Sequence, residues 1–285
     1  MSKVNELFGY NTKRNDVDWD TVLCEQRCPY TEKKCFKVRK SNPNISIGVC
    51  TVNYSKYNEV MICPHRLLER RQIFTDCVHL LTLHEPGNEL HLIPEVTVPG
   101  GSVDYFLLSV RKEKVVDFVG IELQALDTTG SLWSERTSLI RDKGLPVEDV
   151  DLQNKTFGMN WKMSAKTILV QMHHKINTFE HLSKHLVLVV QGCFRDYMAR
   201  EFSFSHMNQA RQGDSFHIHS YRLEEENDNS LRMQFSNRIS TDSNGIALCL
   251  GLQAEAKVEL ETLIKYLEVK ISAKTLFNPI GQLLF

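Results

Sequence analysis

No stretch of this 285-residue chain approaches eighteen consecutive apolar residues. That excludes a membrane-spanning helix, which needs a longer apolar run. The opening residues, Met1-Ser2-Lys3-Val4-Asn5-Glu6, carry no apolar signal core, so an intracellular protein with no membrane partner is expected. Overall charge is also lacking, at a net -1, so whole-chain charge offers nothing to a polyanion. There is no internal repeat and no low-complexity segment. What is present is an ordinary globular composition, 42% hydrophobic and 24% charged. At this length it suffices for a substantial core in one or two domains.

Cysteine is the residue in unusual supply. Five of the eight, Cys24, Cys28, Cys35, Cys50 and Cys63, fall within forty residues. In a cytosolic chain such crowding means bound metal or buried thiols rather than disulfides. Cys28-Pro29-Tyr30, Gly48-Val49-Cys50 and Ile62-Cys63-Pro64 carry the glycine and proline that make tight turns and aim side chains at a common point. Four thiolates make a tetrahedral site for zinc or iron. The intervals from Cys28 to Cys63, with six, fourteen and twelve residues between successive cysteines, are not those of a zinc finger. Both readings, metal and buried thiols, stay open on spacing alone. The same stretch is locally basic. From Arg27 to Arg71 there are ten Lys or Arg against Glu32, Glu59 and Glu69, an excess of +7. That is the electrostatic footprint of a polyanion partner. His65 to Leu83, with Leu67, Leu68, Ile73, Leu80 and Leu81, is expected to be a helix.

After the turn signal Glu85-Pro86-Gly87-Asn88, taken as a domain boundary, the pattern turns to strands. Leu90–Val98 is an apolar strand whose Pro94 favours an edge. Pro99-Gly100-Gly101 turns into a strand that carries Asp104 ahead of Phe106-Leu107-Leu108. Phe118–Leu123 is β-branched and apolar. Residues two apart share a strand face, so Glu122 and Gln124 project together. If the two strands pair, Asp104 meets Glu122, an oxygen-rich site of the kind that holds Mg²⁺. Glu95 adds a third acid on a neighbouring strand.

The order Phe8-Gly9, Cys28-Pro29-Tyr30, Cys35-x-Lys37, Gly48-Val49-Cys50-x-Val52-Asn53, Cys63-Pro64-x-Arg66, Asp104 and Glu122-x-Gln124 resembles the NotI-type type II restriction endonucleases. The resemblance covers residues 7–130 and extends more weakly through Trp161–Lys175 and Leu186–Val190. It implies an α/β (α+β) fold: a restriction-endonuclease-like PD-(D/E)XK core with a mixed sheet flanked by helices, preceded by a four-cysteine metal-binding lobe. The lobe would span residues 1–84 and the nuclease core 85–285. It also implies structural iron or zinc on Cys28, Cys35, Cys50 and Cys63, and Mg²⁺ on Asp104 and Glu122. Gln124, where most such nucleases have lysine, would orient water, since an amide cannot act as a base. Glu95 would be an additional acid, at a shorter separation than in that family. Cys24, Cys77, Cys193 and Cys249 match nothing in it.

The implied activity is Mg²⁺-dependent hydrolysis of double-stranded DNA at a specific site. A cytoplasmic homodimer of a bacterium or archaeon would carry it out, with a DNA methyltransferase as genetic partner. A non-cleaving DNA-binding module, or a less specific repair or defence nuclease on the same core, are the competing classes. In the rest of the chain, Asn160–Asn177 reads as a helix, with Lys162, Lys166 and Gln171 able to reach phosphates. Leu186–Gln191 reads as a central strand and Phe194–Phe202 as a helix. Ile246–Leu252 reads as strand-like and Ala254–Val269 as a helix. Dimer contacts are expected in the C-terminal third.

Overall fold

The structure is a computed structural model that describes residues 2–39, 42–147, 156–252, 264, 265 and 267–269. Met1–Gly251 forms one compact unit and Leu252–Phe285 a second. The Glu85–Asn88 turn lies inside the first. The expected helix over 254–269 falls largely outside the described residues.

The chain begins with a small antiparallel sheet. Its strands are β1 (Val4–Leu7), β2 (Tyr10–Asn11), β5 (Val49–Tyr54) and β6 (Tyr57–Met61), in the order β2-β1-β5-β6. Between β2 and β5 run helix α1 (Trp19–Glu25) and a two-stranded ribbon, β3 (Val38–Arg39) with β4 (Asn42–Ser46). Asp18 starts α1 by accepting the Thr21 N–H, a standard N-cap. Gly48 is left-handed at φ +67°, and a Cβ there would stand 2.4 Å from the Phe8 ring. Only glycine lets β5 start against that ring.

The expected helix over His65–Leu83 is broken into short pieces: a 3₁₀ stretch Pro64–Arg71, α2 (Gln72–Thr75) and a second 3₁₀ turn, Val78–Leu80. Arg70 and Arg71 adopt left-handed φ, which interrupts an α-helix. A buried ion network opposes the helical periodicity. Arg66 is fully buried and donates to Glu6 Oε2 at 2.8 Å, Glu69 Oε2 at 2.9 Å and the Leu231 carbonyl at 2.7 Å. Glu69 also takes the Met233 N–H at 2.6 Å. A helix continuing through Glu69 would forfeit these bonds and strand a buried charge, a loss of several kcal/mol.

The main sheet has six long strands and a two-residue strand at one edge, in the order β13-β15-β14-β12-β9-β8-β7. These are β7 (Glu89–Val98), β8 (Gly101–Arg111), β9 (Lys114–Gln124), β12 (His185–Gln191), β13 (Asn208–Gln209), β14 (Phe216–Glu225) and β15 (Leu231–Thr241). β9, β12 and β14 are parallel and the remaining pairs antiparallel. The edge position of the Pro94 strand and the β8–β9 pairing are as expected. β12 is buried at every residue, which is why it reads as an unbroken apolar run. Helix α3 spans Trp133–Asp142. Between β9 and β12 also lie the short pair β10 (Thr128–Gly130) and β11 (Phe157–Met159), then α4 (Trp161–His181). α5 (Gly192–Glu201) and α6 (Ser243–Cys249) follow later. The last replaces the strand expected over Ile246–Leu252: Asp242 caps it by accepting the Gly245 N–H at 2.8 Å. A short apolar run does not distinguish the two periods, and the cap decides.

α4 covers one face of the sheet with Ile168, Leu169, Met172, Ile176 and Phe179. The broken 64–81 segment covers the other with Leu67, Leu68, Ile73, Phe74, Leu80 and Leu81. Gln191 joins the two sheets: it accepts the Met61 N–H at 2.8 Å and donates to the Glu59 carbonyl at 2.7 Å.

Under the 64–81 segment lies a buried group of histidines. His217 lies 2.9 Å from the Asp214 carbonyl and 3.3 Å from His185 Nδ1. His219 stacks on His79 and meets Cys77 Sγ at 3.8 Å, with Arg238 and Phe235 close by. Burial, with His185 facing His217 and Arg238 facing His219, pushes both pKa values down to about 3. Both rings are therefore neutral when folded but titrate normally, near 6.5, when unfolded. Stability is fully present above pH 6.5 and is lost as pH falls toward 3. Glu122, with its pKa raised, opposes this trend over the same range, so the histidine effect is read as a difference: relative to His219→Gln, the wild type is expected to lose about 2 kcal/mol in urea unfolding between pH 7.5 and pH 5. A gap between the two proteins that is the same at both pH values would contradict it.

Candidate active site and the cysteine cavity

The β8–β9 ladder is in register through Tyr105↔Ile121. One residue further, Asp104 stands across from Glu122. There the Asp104 carboxylate, not a β8 carbonyl, takes the Leu123 N–H, at 2.8 Å, and the two carboxyl groups hydrogen-bond each other. Burial raises the pKa of both. For Glu122, burial, helped by the neighbouring Asp104, outweighs the opposing pull of Lys175 and leaves it at about 7. Two carboxylates cannot both ionise cheaply in such a place, so they share a proton.

The group that faces them comes from α4. Lys175 Nζ bonds Glu122 Oε1 and the Ser102 carbonyl, and both side chains of the ion pair are only 6% exposed. The turn between β7 and β8 makes this contact possible. Gly100 has φ +98°, and a Cβ there would lie 2.3 Å from the His174 carbonyl oxygen. The hairpin backbone thus rests directly on α4, and Thr178 Oγ1 donates to the Pro99 carbonyl at 2.9 Å. Lys175 was not anticipated from the sequence. Its signal was there: a lysine in the apolar stripe Met172, Ile176, Phe179, where a charge must find a buried partner.

Of the other expected residues, Glu95 sits in β7 between the pairs Pro94↔Tyr105 and Val96↔Val103, hence opposite Asp104. It is exposed, with φ +53°, and its charge raises the Asp104 pKa. Gln124 is half-buried and commits its amide nitrogen to the adjacent Ala125 carbonyl at 2.5 Å.

The four cysteines named by the resemblance all line one cavity of about 10 Å³, with Phe8, Lys37, Gly48 and His65. That is room for about one water-sized occupant. Among the described residues, however, no group of three or more His, Cys, Asp or Glu side chains is arranged to hold a metal ion. The expected four-cysteine cluster is therefore not assembled as a ligand set. The thiols bond neighbours instead of a common centre. The Cys50 thiol donates to the Gly48 carbonyl at 3.5 Å; the nearness of Cys50 to Cys63, with Lys37 and His65 close by, lowers the Cys63 pKa to about 6 against the effect of burial. Burial of Cys28 is outweighed by hydrogen bonds from His65 and Thr31, so its pKa falls as well. All eight cysteines are free.

Comparison with protein-family models, curated sequences and solved structures gives no match for this chain. The geometry therefore carries the functional reading by itself. The buried pair can be tested first. Lys175→Met should destabilise the protein by about 3 kcal/mol in urea unfolding at neutral pH, because it leaves Glu122 buried without its cation. Adding Glu122→Gln should recover most of that loss, whereas additive losses would show that the two side chains do not act as a pair.

Proposed function

We propose that the chain is a Mg²⁺-dependent deoxyribonuclease of the type II restriction kind, built on a PD-(D/E)XK core. The observation that carries this reading is the juxtaposition of Asp104, Glu122 and Lys175, drawn from two neighbouring strands and the helix packed on them. The antiparallel run β7–β8–β9, followed by α4 and the parallel strand β12, is consistent with such a core.

Among the described residues no third His, Cys, Asp or Glu joins Asp104 and Glu122 to hold a metal, so the pair suits only a cation that asks for one or two carboxylates. Mg²⁺ keeps most of its water and needs only one or two carboxylates. The raised Glu122 pKa marks a place where added positive charge would be stabilising. Asp104 and Glu122 would hold the ion, and Glu95, exposed at the rim, would act through water. Bound there, Mg²⁺ would supply an activated water and neutralise charge at phosphorus. Lys175 places a fixed positive charge beside the carboxylates, where phosphate charge grows during hydrolysis. Gln124 cannot supply that charge. With its nitrogen committed to Ala125, it would use its carbonyl oxygen to orient water. The cysteine cavity would hold structural iron or zinc on Cys28, Cys35, Cys50 and Cys63 once the thiols deprotonate and turn inward. The substrate would be double-stranded DNA at a specific sequence, cut by a homodimer, with a cognate methyltransferase as genetic partner.

Asp104→Asn, Glu122→Gln and Lys175→Met should each lower cutting of long unmethylated DNA in Mg²⁺ at least about 100-fold. Binding of the same DNA in Ca²⁺ should be retained. Normal cutting by the Asp104 variant would overturn the assignment. Elemental analysis should find about one iron or zinc per chain and none in Cys50→Ser. A metal-free wild type that is fully folded would remove the metal from the cavity.

A further inference from the structure

Beside the cysteine cavity, the segment Lys33–Arg39 forms a ridge with an unusual surface. Phe36 is 50% exposed and Val38 44% exposed; Phe36 precedes Lys37, Val38 lies between Lys37 and Arg39, and Lys33 and Lys34 stand just before Cys35. This is not a frayed loop. Its backbone is tied down at the Lys33 carbonyl by the Cys28 N–H at 2.7 Å, at the Cys35 N–H by Gln26 at 2.9 Å, and at the Lys37 carbonyl by Ile47 at 2.8 Å. The Phe36 ring leans on His65 with centroids 4.6 Å apart. Among the described residues none of the four cations is in an ion pair.

The ridge borders a groove of about 200 Å³ lined by Lys37, Val38, Thr128, Ser131 and Trp133. That is the space of roughly six or seven waters, or of one planar heterocycle the size of a nucleobase. The indole of Trp133 is a wall of this groove and of a smaller neighbouring cavity of about 100 Å³ that Arg39 and Arg136 line. Both guanidinium groups lie over the indole, at 5.6 and 5.5 Å from its ring centroid. Thr128, on the groove wall, is four residues beyond Gln124, on the chain leaving the catalytic strand.

Lys34 and Lys37 donate to the Asn44 and Ile62 carbonyls, each at 2.9 Å, and Arg39 lies on the half-buried Trp133, so the ridge offers cations without carboxylate partners beside one exposed ring and one half-buried one. An unstacked polynucleotide binds such a surface with its bases on the rings and its phosphates on the cations. An intact duplex would use the cations and leave Phe36 and the groove idle. We infer that the Lys33–Arg39 ridge and the Trp133 groove form a docking site for an unpaired DNA segment, with a base against Trp133, another on Phe36 and the intervening phosphates on Lys37 and Arg39. This inference rests on the nuclease reading for its biological sense but not for its measurement.

The test is fluorescence anisotropy in EDTA, where no cutting occurs, with labelled oligo-dT and a mixed-sequence duplex as probes. Phe36→Ala and Trp133→Ala should each weaken oligo-dT binding about 10-fold or more, with much less effect on the duplex. Arg39→Gln should weaken binding of both and reduce the salt slope by about one. Circular dichroism and the urea midpoint of each variant establish that it is folded, and Phe36→Leu, which keeps bulk without the ring, separates stacking from packing. Oligo-dT affinity unchanged in folded Phe36→Ala and Arg39→Gln overturns the inference, even if the wild type cuts DNA. A wild type that never cuts, yet loses oligo-dT with these variants, would sink the nuclease reading and leave the docking site standing.

Discussion

One ammonium group fixes the geometry of the site. Lys175 Nζ sits between a carboxylate on β9 and a main-chain carbonyl on β8, so helix and hairpin cannot shift against each other without unpairing a buried charge. The close approach also demands glycine at Gly100, since any side chain there would meet the α4 backbone. On the next strand, Gly120 plays the same part, because a Cβ would stand 2.4 Å from the Phe179 ring. Two glycines and one lysine thus set how deeply α4 presses into the sheet. That depth determines whether Asp104 and Glu122 are dry enough to share a proton.

The part of this legible in the sequence was the part written with short period. The alternation around Asp104 and Glu122, the continuous run of β12 and the stripe of α4 each follow from local geometry. What escaped was set by distant partners. Lys175 looked like one more lysine on a helix, because its carboxylate is 53 residues away. The helix expected over His65–Leu83 was broken by Arg66, whose partners Glu6 and Leu231 lie 60 and 165 residues off in sequence. Residues 246–252 read as a strand until the Asp242 cap is counted. Gln124 lies two residues beyond Glu122 in β9, but its hydrogen bond to its own neighbour is a rotamer choice that no pattern encodes.

The cysteines show a different limit. Their turns did bring four thiols to one cavity, as glycine and proline flanking suggests. Spacing specifies which sulfurs can meet; it does not specify what they meet. Protonated thiols bond the Gly48 carbonyl and His65 rather than a common centre. Deprotonated thiolates would repel one another unless a cation joined them. Thiols and thiolates thus favour different arrangements in the same cavity, and a bound metal, if the proposal holds, would favour the second.

Lys37 links this cavity to the rest of the proposal. It lines both the cysteine cavity and the Trp133 groove, while its ammonium group is held by the Ile62 carbonyl at 2.9 Å, one residue before Cys63. Through that carbonyl Lys37 is tied to the chain next to Cys63 as well as to the groove. The ridge that carries Phe36 is fastened at Cys28 and Cys35, two of the four thiol positions. A metal here would have no open coordination position and no chemistry of its own. Its effect would be to stiffen the ridge, which lowers the ordering cost of binding a flexible strand. On the proposed reading, the ridge beside the cysteine cavity would hold the polynucleotide while Asp104, Glu122 and Lys175 would face its backbone.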